Sequence, residues 1–292
     1  MLSVRTNVMA MNAHRMANIA GQQQASAMRR LASGLRINSA ADDAAGLAIS
    51  EGMRAQIRGM QQAERNAQNG ISLLQTAEGF VTTLGELTHR INDLVVTAAS
   101  DTYGTEDRQR IFNEIDQMML EMERIFERST FNGQNLFQED GRFDGRINLQ
   151  VGANSADVIG INLGGRVGDL REMLGDFRTA VEEAFETGTH ESINSLLGPD
   201  GMISQMQNSV SNLRSGMGAY INRLEFTIEN LGVSIENLSS AESRIRDADM
   251  AAEMMRLVQA NILRDMAMMM MAQAMQSPNM ILRLLEGVGR NG

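Results

Sequence analysis

Residues 44–98 have the sequence AAGLAISEGMRAQIRGMQQAERNAQNGISLLQTAEGFVTTLGELTHRINDLVVTA, in which apolar side chains recur in steps of three or four. The stripe consists of Ile49, Met53, Ile57, Met60, Ala63, Ala67, Ile71, Leu74, Ala77, Val81, Leu84, Leu87, Ile91, Leu94 and Ala98. This spacing is typical of one face of an α-helix. About 55 residues at 1.5 Å each predict a rod of roughly 80 Å, far longer than an average globular helix.

Two further stretches show the same periodicity. The first follows Thr105, which is predicted to cap a helix, and its apolar face contains Ile111, Ile115, Met118, Met122 and Ile125. The other contains Val210, Leu213, Met217, Tyr220, Leu224, Ile228, Leu231, Ile235 and Leu238. The chain has two prolines, Pro199 and Pro278, so no proline interrupts a helix before residue 199. Three long helices can bury such stripes in a bundle.

The middle of the chain has a different pattern. Apolar residues alternate with polar ones in residues 147–151 and 159–163, and residues 152–157 between them supply turn chemistry. This arrangement predicts a β-hairpin at about residues 146–163. Residues at about 165–200 show only a weaker helical pattern, and we expect a short variable segment there.

The two terminal segments are unusually apolar. Residues 3–32 and 250–275 each carry large apolar side chains at helical spacing. Neither would be stable as a single helix in water with that face unburied. Both segments therefore need a partner, which is either the other terminal segment or another copy of the chain.

Composition excludes several functional classes. The 26 basic and 36 acidic side chains give a net charge of −10, which disfavours binding to nucleic acid. Cysteine and lysine are absent, which excludes disulfides, thiolate sites, a phosphate-binding loop lysine and a Schiff base. No apolar run reaches the ~20 residues of a membrane span. The amino terminus has no signal for the general secretory route.

Two motifs invite a chemical interpretation. His190-Glu-Ser-Ile-Asn194 has Asn194 where a His-Glu-x-x-His zinc site needs its second histidine, and His14 and His89 are far away in sequence. The run Met268–Met271 points around all sides of a helix, so it favours packing within an assembly over metal binding. We expect no catalytic residue, metal site or cofactor.

Several blocks of the chain resemble the signatures of bacterial flagellins. In the first half they are SGLRINSAADDAAGLAI (33–49), QIRG (56–59), NAQNGIS (66–72), QTAEG (75–79), FNG (131–133) and QVGAN (150–154). In the last part they are LSSAESRIRDAD (238–249) and AQAMQSPN (272–279). The resemblance covers about residues 1–165 and 200–285. It is specific because unrelated helical rods would not reproduce these blocks in this order.

The resemblance implies a mainly α fold, an elongated antiparallel helical rod or coiled-coil bundle with a small β-hairpin, whose terminal helices pair into an inner coiled coil. Residues 1–43 with 250–292 would form a discontinuous inner domain, and residues 44–249 an outer rod domain. The implied function is structural and not enzymatic: the subunit polymerises into the flagellar filament for swimming motility. A hook-filament junction protein is the alternative. A signalling coiled coil would explain the stripes but not the signature blocks.

The implied partners are many copies of the chain itself, with other flagellins as candidates for co-polymerisation. The resemblance further implies the flagellum-specific (type III) export apparatus, an export chaperone on the carboxy-terminal helix, the filament cap and hook-junction proteins. The subunit would be secreted into a filament outside the cell or in the periplasm. Its ends are expected to be poorly ordered when free and to fold as they pack at the filament tip. No nucleic acid or membrane partner is expected.

The residues expected to pack between subunits lie in the terminal segments and the connector after the first helix. They are Val4, Val8, Met11, Ile19, Leu31, Arg36, Asp42, Asp43, Met254, Val258, Ile262, Met266, Met269 and Leu282. Asp42 and Asp43 can also cap a helix that starts near Ala44. An arginine-carboxylate pair among these residues would set register more than it would raise affinity.

Residues 87–94, LTHRINDL, resemble the flagellin segment that the flagellin-sensing Toll-like receptor recognises. Arg90, Leu94 and Glu114 keep that pattern, whereas Asp93 replaces a more usual glutamate and Met118 stands where an arginine is common. These three residues form a candidate receptor-binding face, and an ordinary exposed helix face is the alternative.

Overall fold

The computed structural model describes residues 6–138, 145–187, 189–198 and 201–288, with side chains described as far as residue 276. The helices are α1 (Val8–Ser33), α2 (Ala44–Ala98), α3 (Thr105–Arg128), α4 (Gly164–Thr187), α5 (His190–Asn194), α6 (Met202–Arg246) and α7 (Met250–Val288). The strands are β1 (Thr130–Phe131), β2 (Gln134–Asn135), β3 (Arg146–Gln150) and β4 (Val158–Asn162). The predicted mainly α fold is confirmed.

The chain divides into two compact units. The described residues of Met1–Ala55 and Asn237–Gly292 form the first, and those of Gln56–Glu236 form the second. Both boundaries fall inside long helices, α2 and α6. The predicted domain limits at residues 43 and 250 stay a prediction.

The main hydrophobic core lies in the second unit. The apolar stripe predicted for residues 44–98 belongs to one 55-residue helix, and from Ala63 onward most of its members are buried. Side chains of α3, α4 and α6 complete the same core, among them Ile115, Leu170 and Leu224. The predicted packing of three long helices is confirmed, and α4 is an additional member.

Helix α4 comes from the segment that sequence periodicity described least well. Leu170, Leu174, Phe177 and Val181 are buried at steps of three or four, so they supply an apolar face. Arg178 of the same helix forms ion pairs with two carboxylates of α3, at 3.6 Å to Asp116 and 3.0 Å to Glu123.

The predicted β-hairpin is confirmed as β3 paired antiparallel with β4, in the register Arg146–Asn162 to Gln150–Val158. Its turn packs on α2. The side-chain amide of Asn66 donates to the carbonyl of Gln150 at 3.0 Å. A Cβ built on Gly59 would lie 2.9 Å from the Cβ of Ala153, so a larger residue would push the turn away.

A second small hairpin, β1 with β2, was not predicted. Its turn residues Asn132 and Gly133 both have positive φ, 49° and 75°, which is the requirement of a type I′ turn. The expected cap of α3 also differs. Thr105 is the first helical residue, and the N-cap is Gly104, whose carbonyl accepts the amide of Arg108 at 3.0 Å.

Candidate functional site

Helices α1 and α7 pair with each other in the first unit. Three contacts show that they run antiparallel, because residue numbers rise along one helix as they fall along the other. A guanidinium nitrogen of Arg30 lies 3.2 Å from a carboxylate oxygen of Glu253. Arg264 donates to Gln24 at 2.7 Å, and the Asn7 side chain donates to the carbonyl of Ala274 at 2.7 Å. The predicted pairing of the terminal helices is confirmed.

Alanine forms the seam between these two helices. The most deeply buried alanines of α1 and α7 are seven residues apart, the heptad spacing of a coiled coil. They are Ala20 and Ala27 on α1 and Ala260, Ala267 and Ala274 on α7. Because alanine ends at Cβ, two helices with alanine seams can approach closely. Alanine therefore closes the pair, and most of its larger apolar side chains lie outside this seam.

Those larger side chains remain exposed. Of the residues predicted to pack between subunits, eight are 44–66% exposed: Val8, Met11, Ile19, Met254, Val258, Ile262, Met266 and Met269. Leu31 is half-buried. Val4 and the side chain of Leu282 lie outside the described residues.

A groove of about 900 Å³ runs along α1 and α7. Its apolar wall includes Met9, Met16 and Ile19 of α1 and Leu263, Met266 and Met270 of α7. Monomeric soluble proteins rarely expose large contiguous apolar patches, and such patches usually mark interaction sites.

A buried carboxylate sits at one end of the alanine seam. Glu253 is 3% exposed and occupies the heptad position seven residues before Ala260. Both Arg30 of α1 and Arg256 of α7 form ion pairs with its Oε1 atom. A charge removed from water in this way needs such partners.

The connectors that leave α1 and enter α7 are also paired. The amide of Arg36 donates to the carbonyl of Arg246 at 2.7 Å, and that of Ala248 donates to Gly34 at 2.9 Å. The guanidinium of Arg36 donates to the carbonyl of Ile245. Arg36 therefore joins two connectors within one chain and forms no pair with Asp42 or Asp43.

Asp42 and Asp43 each organise local backbone. The carboxylate of Asp43 accepts the amide of Gly46 at 2.9 Å, which confirms the predicted cap of α2. Asp42 accepts the amides of Asn38 and Ser39 at 3.2 and 3.1 Å, and the Ser39 hydroxyl at 3.1 Å. The amide of Asn38, followed by these Ser39 donors, holds the pKa of Asp42 below its usual range.

The candidate receptor-binding residues do not share one exposed face. Arg90 and Glu114 form an exposed ion pair between α2 and α3, at 2.8 Å. Leu94 is only 6% exposed and packs in the core of the second unit. Its side chain is therefore not on the surface that Arg90 and Glu114 present.

The residues of the histidine motif have ordinary structural contacts. His190 begins the short helix α5, and its Nδ1 atom hydrogen-bonds the carbonyl of Ala99. Across the described part of the chain, no cluster of three or more histidine or acidic side chains is arranged to hold a metal ion. None of the described helices has both the length and the apolar character needed to cross a bilayer.

Sequence reasoning missed the residues that hold the helix pair together. The alanine seam and the Arg30–Glu253 contact did not follow from counting large apolar side chains. A signal was present, since alanines recur at intervals of seven at positions 13, 20 and 27 and again at 260, 267 and 274.

Family comparisons agree with this architecture. The model of the bacterial flagellin N-terminal helical region matches residues 4–141, and that of the bacterial flagellin C-terminal helical region matches residues 201–285. Among solved structures, a flagellar hook-associated protein from Vibrio parahaemolyticus has a TM-score of 0.53 at 14% identity, over 70% of this chain and all of that one. That likeness concerns the fold alone.

Individual relatives match over nearly the whole chain. A flagellin of Halalkalibacterium halodurans is 45% identical over 97% of this chain and 99% of its own. A flagellin of Bacillus subtilis is 41% identical and matches 88% of this chain and 91% of its own. A flagellar filament 31.3 kDa core protein of Treponema maltophilum is 36% identical and matches 97% of this chain and 99% of its own. The chain belongs to the bacterial flagellin family.

Proposed function

We propose that this chain is the structural subunit of a bacterial flagellar filament that serves swimming motility, and that it has no enzymatic role. The observation that carries the proposal is that small and large apolar side chains of α1 and α7 have different environments. The pair is closed by alanine, while its large apolar side chains face outward and stay unburied in a single chain. Other copies of the chain are the partners that this surface fits.

The energy for assembly comes from covering that surface. A side chain that goes from half exposed to buried gains roughly 1 kcal/mol at ~25 cal/mol per Å². Eight such residues together gain several kcal/mol for each subunit added, which offsets the entropy of ordering the ends. In this proposal, residues 1–43 with 250–292 form the inner assembly domain and residues 44–249 the outer domain.

Polar residues near the connectors add specificity. Arg36 is exposed, and its guanidinium uses a backbone carbonyl within the chain. The remaining donor capacity of its guanidinium can reach a neighbouring subunit. We assign Arg36, Asp42 and Asp43 a share in these contacts, which would set the register between subunits more than their affinity.

Further partners follow from family membership. We propose that the subunit is exported unfolded by the flagellar type III apparatus, with a chaperone on its carboxy-terminal helix, and is added beneath a filament cap. Hook-junction proteins would connect the filament base, and other flagellins would be candidates for co-polymerisation. The filament would lie outside the cell or in the periplasm.

Recognition by a Toll-like receptor is a separate proposal. The exposed pair Arg90–Glu114 is the part of the candidate face that a receptor can reach. Leu94 would contribute by supporting α2 from within the core. An Arg90→Ala variant should then lower receptor activation, whereas a Leu94→Ala variant should act through stability. Receptor activation by the two variants at matched folded concentration separates these effects.

Filament growth from purified subunits tests the main proposal. We expect long filaments above a critical concentration, measured by sedimentation and electron microscopy. Ile262→Asp places a charge on the exposed surface and should raise the critical concentration at least tenfold, because burying an unpaired carboxylate is costly. Gln75→Glu, an equal change of charge at an exposed site of α2, is the matched control and should assemble normally.

Three outcomes would contradict the proposal. The first is that purified subunits form no polymer at any concentration, and the second is that a chain lacking residues 1–30 still builds long, stable filaments. Growth that stops at short rings would favour a hook-filament junction protein instead. Helix content of Ile262→Asp should match that of the parent chain, because Ile262 is exposed and buries little within one subunit.

A further inference from the structure

The chain contains 24 methionines and no cysteine, and the described methionines include one deeply buried and one exposed group. Four in the second unit are at most 1% exposed: Met119, Met122, Met206 and Met217. Twelve on α1 and α7, called the surface methionines below, are 48–68% exposed: Met9, Met11, Met16, Met28, Met250, Met254, Met255, Met266, Met268, Met269, Met270 and Met275. An oxidant in solution can therefore reach the second group and not the first.

We propose that the surface methionines are an oxidant-sensitive modification site, and that their conversion to sulfoxides blocks the addition of a free subunit to a filament. This inference rests on the proposed function, because it requires that this surface becomes buried between copies. It also accounts for the Met268–Met271 run, whose abundance of thioethers packing alone does not require.

The chemistry needs only a peroxide. One molecule of hydrogen peroxide transfers an oxygen atom to the thioether sulfur, which is oxidised by two electrons, and the peroxide leaves as water. The chain has no thiol that would compete for the oxidant. In the reverse reaction, methionine sulfoxide reductase uses two thiols: the oxygen leaves as water and the thiols become a disulfide.

The physical effect is selective for assembly. A sulfoxide is a strong hydrogen-bond acceptor, so burying it without a donor is unfavourable where burying a thioether is favourable. The surface methionines lie outside the alanine seam of Ala260, Ala267 and Ala274. Oxidation should therefore leave the α1–α7 pair intact and raise the critical concentration about tenfold for each sulfoxide buried.

The experiment compares assembly of the full chain before and after limited hydrogen peroxide treatment, with mass spectrometry locating each added oxygen atom. We expect oxygen on the surface methionines first, helix content unchanged and filament growth lost. Treatment with methionine sulfoxide reductase and dithiothreitol should restore growth. Preformed filaments should acquire these oxygens much more slowly than free subunits.

Two leucine variants provide matched controls, because leucine keeps the volume and helix preference of methionine and cannot be oxidised. Leucine at all twelve surface positions should give filaments that grow equally well after peroxide. Leucine at Met119, Met122, Met206 and Met217 should leave the sensitivity unchanged. Dithiothreitol without the reductase should not restore filament growth of the oxidised parent chain.

The inference is overturned if subunits oxidised at the surface methionines assemble at an unchanged critical concentration. It is also overturned if the surface leucine variant loses growth after peroxide as the parent does. If the untreated parent forms no filaments, the proposed function fails, and this inference fails with it. The untreated sample therefore separates the two failures.

Discussion

Arg30 and Glu253 lie 223 residues apart in sequence, and their side chains meet at 3.2 Å in the first unit. Glu253 is almost completely buried, whereas about a quarter of the Arg30 side chain is exposed. An alanine seam has a repeating surface, so sliding one helix by a heptad would bring alanine against alanine again. Arg30 and Glu253, in contrast, face each other in one register only, so sliding one helix along the other would separate their charges. We therefore assign Arg30–Glu253 the role of setting the register of α1 against α7.

Replacing Glu253 tests this assignment. Glu253→Ala leaves the guanidinium of Arg30 without its carboxylate, and we expect the free energy of unfolding to fall by about 1–2 kcal/mol. This cost is smaller than that of breaking a fully buried pair, because Arg30 is partly exposed. Denaturant unfolding followed by helix content measures the change. Arg256→Ala is the control, since that side chain is 60% exposed and should cost under about 0.5 kcal/mol. Equal costs for both variants would contradict the assignment.

The alanine seam should tolerate no larger residue. Ala267→Leu inserts three carbons between closely packed helices, and we expect a loss of about 1–3 kcal/mol with faster proteolysis of α1 and α7. Met266→Leu, one position away but exposed, should leave monomer stability within about 0.5 kcal/mol of the parent. A stable Ala267→Leu chain with unchanged proteolysis would show that the helices do not pack through alanine.

Two glycines of α2 should respond to alanine in opposite directions. At Gly59 the new Cβ would lie 2.9 Å from the Cβ of Ala153, which cannot rotate away, so we expect a loss of about 1–2 kcal/mol. Nothing lies within 4 Å of a Cβ at Gly79, so alanine there should stabilise the helix by up to about 1 kcal/mol. Midpoints of urea unfolding compare the two. A stabilising Gly59→Ala would refute the close contact between hairpin and helix.

The turn at residues 38–42 should depend on pH through Asp42. The hydrogen bonds from Asn38 and Ser39 lower the pKa of Asp42 in the folded chain. Its contribution is therefore complete above the pKa of an unfolded aspartate and is lost as pH falls through the lower, folded pKa. Amide NMR shifts of Asn38 and Ser39 should follow this titration and become flat in Asp42→Asn. A titration at the usual aspartate pKa would contradict the geometry.

The sequence predicted best where large side chains repeat without interruption. The stripe from Ala63 to Ala98 predicts α2 and its buried face because few alternatives can bury so regular a pattern. Helix α4 was less clear because glycines at positions 164, 165, 168 and 175 weaken its helical preference. Burial of Leu170 and Phe177 compensates for that weakness, and burial is a property of the folded chain.

The site was predicted only in part for a related reason. The prediction identified Val258, Ile262 and Met266 from their size, and the structure leaves them exposed. Their role between subunits stays a prediction. The seam itself consists of alanine, which is also common on ordinary helix surfaces. Its heptad spacing, and not its composition, therefore predicts the helix pair.

The β1–β2 hairpin was missed because the Asn132–Gly133 turn joins strands of only two residues each.

Helical reconstruction of filaments grown from the purified chain tests the central claim most directly. We expect Val258, Ile262 and Met266, each more than half exposed in one subunit, to become buried against neighbouring copies while the alanine seam of α1 and α7 persists. A filament in which these three side chains still face solvent, or in which α1 and α7 of one subunit have separated, would contradict it.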